Sequence, residues 1–276
     1  MTRAKGEICG KMSEDLKIDI ILIQETHVAA NMDKKLKIPG YTLVNSLNHD
    51  KHGIATFVTS NIASNCSGLN GNSHAIGIAY GGLSIFNVYK PPGEEWENPV
   101  LPHAAHPCIY AGDFNSHSPL WGYRTENRDG ESLIRWDEVN DCHLEYDAKQ
   151  GSTFHSARWG TSTTPDLCFV SCNREGRPLH VTRSVESRFP GSKHSMVVLE
   201  IGMRLLCVQN PELPRWNLRK AVWAKFTEEV EKTVSRIPIN IPNYERFSRL
   251  LFMAAKRSIP RGHRKNYVPC WNAECA

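Results

Sequence analysis

The chain has 276 residues, 40% of them apolar and 22% charged. That balance reads as globular rather than disordered, and the length suffices for one large domain or two small ones with a buried core. No run approaches the ~18 consecutive apolar residues of a membrane span, and the opening "MTRAKGEICGKMSEDLK" lacks the apolar centre of a secretory signal. Nine cysteines stand at 9, 66, 108, 142, 168, 172, 207, 270 and 275, an odd number with no C-x-x-C pair. This argues against a disulfide framework and against a structural zinc site. The expected compartment is reducing, nuclear or cytoplasmic rather than secreted.

Net charge is +4, unevenly spread. Residues 1–203 hold 19 Lys and Arg against 23 Asp and Glu, whereas residues 204–276 hold 14 against 6. The basic excess peaks in "KRSIPRGHRKN" (256–266). Such a block is a solvated face in the ordinary case and a nucleic-acid contact in the other.

In chain order, "EICGKMSEDLK" (7–17) suits a helix and "IDIILIQET" (18–26) a buried strand with a polar end. "GIATFVTS" (53–60) reads as a strand, and "HAIGIAYGGLSIFNVYKPP" (74–92) as a hairpin turning at Gly81-Gly82 and closed by a proline pair. "PCIYAGDFN" (107–115) is an apolar strand ending in acid and amide, and "ESLIRWDEVN" (131–140) suits a helix. "STFHS" (152–156), "DLCFVS" (166–171) and "MVVLEI" (196–201) complete the strands. Strands with interspersed helices predict a mixed α/β or α+β domain.

The texture changes near residue 204. "VQNPELPRWN" is a proline-rich linker, followed by two amphipathic patterns. One spaces Val222, Phe226, Val230 and Val234; the other gathers Tyr244, Phe247, Leu250, Leu251 and Ala254. The expected division is a domain over 1–203, a linker over 204–218, and a basic helical appendage over 219–276.

Polar residues at strand ends gather on one rim of a sheet, where α/β enzymes keep their chemistry. Here that rim collects Gln24-Glu25-Thr26, Tyr89, Asp113 with Asn115, Asp166 and His194. Carboxylate and amide oxygens are hard ligands suited to Mg²⁺. An aspartate positions or deprotonates water, and a carboxylate-backed histidine stabilises a phosphate oxyanion. Together these are parts for metal-assisted phosphodiester hydrolysis. Taken singly, each has a plain structural reading: Glu25 as an edge charge, Tyr89 as a strand aromatic, Asp166 as a cap after Thr164-Pro165, His194 as a loop residue. "GDFN" is more specific, because two oxygen-bearing side chains at i and i+2 lie on one side of a strand.

In this order, "IDIILIQET", "FNVYKPP", "YAGDFNSHSPLWG", "STFHSA", "TPDLCFVS" and "SKHSMVVLEI" resemble the endonuclease/exonuclease/phosphatase superfamily. More narrowly they resemble the apurinic-type endonuclease domain of arthropod non-LTR retrotransposons. "NSHSPLWG" and the tail "SIPRGHRKNYVPCW" are similar to jockey-like elements, in which the tail joins the endonuclease to a reverse transcriptase. The resemblance implies a four-layer α/β sandwich that nicks duplex DNA, leaving a 3′-hydroxyl that primes reverse transcription. It implies Mg²⁺, with Mn²⁺ as a substitute, held by Glu25. It also implies water alignment by Asp113, phosphate or water contact by Asn115, phosphate support by Tyr89, and orientation of His194 by Asp166. Thr153 and Ser192 match further polar positions. DNA is the implied partner, with RNA a second candidate for the basic C-terminal segment; no membrane partner and no oligomeric state are implied.

Two departures from the family pattern stand out. Family members open with a strand whose asparagine joins the metal site, and here Met1 is followed at once by helix material, so the chain reads as truncated before that helix. Where the superfamily carries Ser-Asp-His, this chain has Ser192-Lys193-His194. The change alters local charge by two units, and unit charges ~4 Å apart interact by roughly 4 kcal/mol at an effective dielectric near 20. Pointing inward, Lys193 would weaken Mg²⁺ binding or contact the substrate phosphate; pointing outward, it would matter little. No Tyr-x-Asp-Asp polymerase segment occurs. The readings left open are an active DNA endonuclease, an inactive remnant that binds nucleic acid, and a small-molecule or lipid phosphodiesterase.

Overall fold

Strand Ile54–Thr59 (β3) is buried at five of its six positions, and burial on both faces requires a layer on each side of it. In the computed structural model, which describes residues 2–29, 36–203, 216–238 and 243–261, both layers are present. β3 is the middle of a three-stranded antiparallel sheet between Ile20–Gln24 (β1) and Tyr41–Leu47 (β2). The helix over Arg3–Asp15 (α1) starts where the Thr2 hydroxyl accepts the Lys5 N–H. Its Cys9 packs with Ile21, Ile38, Ala55 and Phe57 on the outer face of this sheet.

The inner face meets a six-stranded sheet of order β4-β5-β6-β7-β11-β8. Its strands are Cys66–Asn72 (β4), Ala75–Tyr80 (β5), Leu83–Tyr89 (β6), Cys108–Asp113 (β7), Cys142–Leu144 (β8) and Asp166–Ser171 (β11). Val58 and Ile62 pack between the sheets against Ile78, Leu83, Ile85, Ile109 and Cys168. On the far face lies the helix Arg128–Val139 (α2), whose Leu133 and Trp136 join Phe86, Tyr110, Phe114 and Phe169. Helix, sheet, sheet and helix make the four-layer α/β sandwich that the sequence predicts. Asn87 fastens the layers: its amide donates to the Ala55 carbonyl at 3.0 Å and its Oδ1 accepts from Gln24 Nε2 at 2.7 Å.

Two small ladders complete the domain: Phe154–Ser156 (β9) with Thr161–Thr163 (β10), and Val181–Arg188 (β12) with Ser195–Ile201 (β13). The strands read from sequence are present, with the hairpin turn at Gly81-Gly82. β2, β4, β8, β10 and β12 are additional. Their burial explains why sequence alone passes over them: β4 is glycine- and asparagine-rich, and β12 places charged residues within its run. The helix expected at 131–140 begins earlier, at Arg128, because Asn127 accepts the Gly130 N–H.

The chain clusters into two units, Met1–Cys207 and Val208–Ala276. In the second, Trp223–Val234 (α3) and Tyr244–Ser258 (α4) lie where the amphipathic patterns predict, and Arg257 pairs with Glu229 at 2.6 Å. Residues 204–215 of the linker expected over 204–218, and the basic residues beyond Arg261, lie outside the described residues. No described helix is long and apolar enough to cross a membrane.

β6 and β7 run parallel with Val88 opposite Gly112. Gly112 has φ +147°, and a Cβ there would stand 2.0 Å from the Val88 carbonyl oxygen. Strain and clash coincide, so Gly112→Ala should cost about 3 kcal/mol or more, read as a lowered midpoint in urea unfolding.

Candidate active site

Antiparallel pairing of β11 with β7 sets Asp166 directly opposite Asp113. β7 ends at Asp113 because Phe114 turns into the far core, and the Asn115 N–H then closes on Asp113 Oδ1 at 3.1 Å. Asn115 has φ +41°, a left-handed conformation that asparagine tolerates better than most residues. Its amide donates to the Lys90 carbonyl at 3.0 Å. Lys90 itself is fully buried, its ammonium 3.0 Å from Asp129 on α2.

His194 precedes β13 and bridges to Phe154 of β9, whose ring meets the imidazole edge-on at 4.8 Å. Its Nδ1 lies 3.0 and 3.3 Å from the two oxygens of Asp166. This contact fixes the ring and leaves Nε2 turned away from the carboxylate. Asp166 is held in turn: its N–H lies 3.4 Å from Thr153 Oγ1, and its carbonyl accepts from the buried Arg183 guanidinium at 3.2 Å. The Ser192 hydroxyl accepts the His194 N–H at 3.0 Å. Thr153 and Ser192 thus shape the loop that presents the histidine.

Glu25 stands at the end of β1 with φ +54° and a half-exposed side chain. It accepts the Tyr89 hydroxyl at 2.8 Å. Glu25, Asp113, Asp166 and His194 line one cleft. One oxygen or nitrogen from each of Asp113, Asp166 and His194 falls within 4.8 Å of the others, a donor set able to hold a metal ion. Glu25, the expected principal ligand, lies outside that tight group while facing the same space. Lys193 is exposed and does not line the cleft, and its carbonyl accepts the His155 N–H at 3.0 Å.

Burial, the facing Asp166 and Glu25 push the Asp113 carboxyl up to about 7, with His194 pulling the other way. Burial alone would lower His194, but the hydrogen bond and charge of Asp166, aided by Asp113 and Glu25, raise it above the ordinary imidazole value. The Tyr89 hydroxyl is raised far up by burial and by its bond to Glu25, so it acts here as a donor.

Sequence reasoning missed Arg183, Lys90, Asp129 and Asn87. Asn87 and Lys90 lie within "FNVYKPP" without a role being read for them, whereas Asp129 in the first turn of α2 and Arg183 in the mixed strand β12 carry no motif. Conversely, "NSHSPLWG" proves a packing device. Ser116 accepts Trp96 Nε1 at 3.1 Å and its carbonyl accepts Trp121 Nε1 at 2.8 Å, while Ser118 caps the short turn before the buried Trp121.

An acid raised in the fold binds protons that the unfolded chain has released, so between about pH 4 and 7 its contribution to stability falls as pH rises. In metal-free protein, Asp113→Asn should therefore raise the melting temperature at pH 8, by about 1–2 kcal/mol equivalent, with the gain shrinking towards pH 4. Asp166→Ala should lower the His194 pKa, because it removes the hydrogen bond and charge that raise it, read by NMR titration of the imidazole.

Residues 83–198 match a sequence family described as endonuclease-reverse transcriptase, a span that holds Tyr89, Asp113, Asn115, Asp166 and His194 but not Glu25. Among solved structures, the endonuclease domain of TRAS1, a telomere-specific non-LTR retrotransposon, matches with a TM-score of 0.52 at 17% identity, covering 73% of this chain and 92% of that one. An AP endonuclease from Archaeoglobus fulgidus matches with a TM-score of 0.47 at 15% identity, covering 72% and 96%. No curated protein matches. Across the strands that build the cleft, the chain is thus similar to the endonuclease-reverse transcriptase family, on a fold shared with the TRAS1 endonuclease domain.

Proposed function

We propose that the chain is a divalent-metal-dependent DNA endonuclease that hydrolyses one phosphodiester of a target duplex, leaving a 3′-hydroxyl able to prime reverse transcription. The observation that carries this reading is the Asp166–His194 pair facing Asp113 across paired strands at the mouth of one cleft. Water adds to phosphorus and the bond from phosphorus to the 3′-oxygen breaks. Asp113 accepts the water proton, and the departing 3′-oxygen takes a proton from solvent to become the hydroxyl. His194, protonated and held by Asp166, donates from Nε2 to a phosphoryl oxygen as its charge grows. Asn115 steadies the water or the phosphate, and the Tyr89 hydroxyl holds Glu25 in place.

The donor set is oxygen-rich and suits Mg²⁺ or Mn²⁺, with Glu25 and one of the facing carboxylates as ligands. A bound cation would supply charge neutralisation at the phosphate and lower the pKa of Asp113. The exposed place of Lys193 keeps its charge at the rim, where it is available to a DNA backbone. The basic tail, proposed as a nucleic-acid contact, would add to that attraction.

Supercoiled plasmid incubated with the protein and Mg²⁺ should convert to open circles, and chelation should stop the conversion. Asp113→Ala and His194→Ala should each reduce the rate at least a hundredfold. Wild-type protein inactive with both Mg²⁺ and Mn²⁺, or a His194→Ala variant as fast as wild type, would refute the reading. The rate should fall on the acid side as Asp113 takes up a proton, at or below about pH 7. It should fall again on the alkaline side as His194 loses one, above the ordinary imidazole range.

A further inference from the structure

α4 ends where Ile259 takes up an extended conformation and Pro260 follows. The chain there runs antiparallel to residues 216–217. The Asn217 N–H donates to the Pro260 carbonyl at 2.8 Å, and Trp216 bridges to Arg261. This pairing brings Trp216 beside α4, where its ring meets Phe252 edge-on with centroids 6.1 Å apart. Trp216, Phe252, Lys256, Ile259, Pro260 and Arg261 line a pocket of about 440 Å³. The Lys256 ammonium lies 4.9 Å from the centre of the Phe252 ring, and the Arg261 guanidinium 4.1 Å from that of Trp216. Among these lining residues none is acidic. The pocket belongs wholly to the second unit.

Two rings, each with a cation beside it, suit a ligand that is flat and apolar in one part and anionic in another. A fatty acid or an acidic peptide brings the charge without the plate. A nucleotide brings both, because every base has a π-face and carries a phosphate. The charge also extends beyond the reach of one nucleotide. Arg249, Phe252 and Lys256 recur at i, i+3 and i+7, so they share one face of α4, and all three are exposed. Arg249 stands about 10 Å from Lys256 along the axis, at 1.5 Å per residue, so the two cations meet separate phosphates. Glu245 is the one acid among residues 244–261, against five Lys and Arg, of which Arg257 is paired with Glu229. Cation, ring and cation in alternation make a surface for a strand whose bases are not paired.

We propose that this face of the second unit binds a single-stranded polynucleotide, with a base against Trp216 and Phe252 and successive phosphates on Lys256 and Arg249. Recognition is by stacking and charge, so it is tolerant of sequence. A duplex, whose bases already stack on one another, offers the rings nothing. The site stands apart from the cleft of the first unit and does not rest on the endonuclease reading.

Binding of a fluorescein-labelled uridine dodecamer to the full chain, in chelator so that nothing is cleaved, tests this. With one uracil replaced by 5-iodouracil, irradiation should place the crosslink on Trp216 or Phe252, read by mass spectrometry. The deoxy counterpart should crosslink at the same residues, since rings and phosphate contacts leave the sugar unread. Trp216→Ala and Phe252→Ala should each weaken binding about tenfold through lost stacking, whereas Trp216→Phe should keep most of the affinity. Lys256→Gln and Arg249→Gln should each flatten the plot of log affinity against log salt by about 0.7. Uridine monophosphate and inorganic polyphosphate should each compete at least tenfold less well than the strand. Crosslinks confined to residues 1–203, alanine variants that bind like wild type, or Trp216→Phe as weak as Trp216→Ala would overturn the proposal. So would equal competition by the monophosphate, which would make a free nucleotide the ligand, or by polyphosphate, which would leave charge alone. Nicking is not measured, so failure here is distinct from failure of the endonuclease reading.

Discussion

The register of β7 against β11 is the constraint from which the candidate site follows. Shifting it by one residue would send Asp113 and Asp166 to opposite faces of the sheet, because side chains alternate along a strand. In the observed register the two carboxylates face each other, which is electrostatically costly, and His194 beside Asp166 offsets that cost when it is protonated. His194 reaches over from β13 to Asp166, and its raised proton affinity is the counterpart of the raised affinity of Asp113. Burial and then the facing Asp166 raise Asp113, while at His194 the bond and charge of Asp166 outweigh burial. Two titratable groups displaced within one cleft mark acid–base work more clearly than either group would singly.

The layers explain how this register is kept. Aromatic rings on the α2 side, with Phe114 at 5.5 Å from Phe169 and Trp136 edge-on to Tyr110, clamp the two strands just beneath their polar ends. Gly112 lets β7 approach β6 closely, and the proximity draws Tyr89 level with Asp113. The Tyr89 hydroxyl then reaches across to Glu25 on the other sheet. One side chain from each sheet thus meets at the rim without any loop needing to be long.

Much of this was legible in the sequence, and for identifiable reasons. Apolar runs that stop at an acid or amide, as in "IILIQET" and "IYAGDFN", mark both the strand and the end that faces the cleft. β1 and β7 follow from this, with Glu25 and Asp113 at their ends, whereas Asp166 opens β11 and His194 precedes β13, so their places rested on the order of the motifs. Glu25 shows the limit, since reading it as the principal metal ligand gives its place on the rim but not its distance from the tight Asp113–Asp166–His194 group. Strands such as β4 and β12 were not legible because their burial comes from neighbours in space rather than from their own pattern. Nor did the side-chain direction of Lys193 follow from its place in the motif; it depends on the turn at Phe189–Ser192.

Lys90 ties the rim to the opposite surface of the molecule. Its carbonyl holds Asn115 and its ammonium, wholly withdrawn from water, is matched by Asp129 in the first turn of α2. Removing one member of a buried ion pair strands the other, a loss of about 3–5 kcal/mol. An acidic residue on an outer helix, touching no substrate, is therefore part of what keeps an amide in register at the cleft. Selection on the chemistry would reach α2 through that single linkage, and drift at Asp129 would be constrained as tightly as drift within the cleft itself.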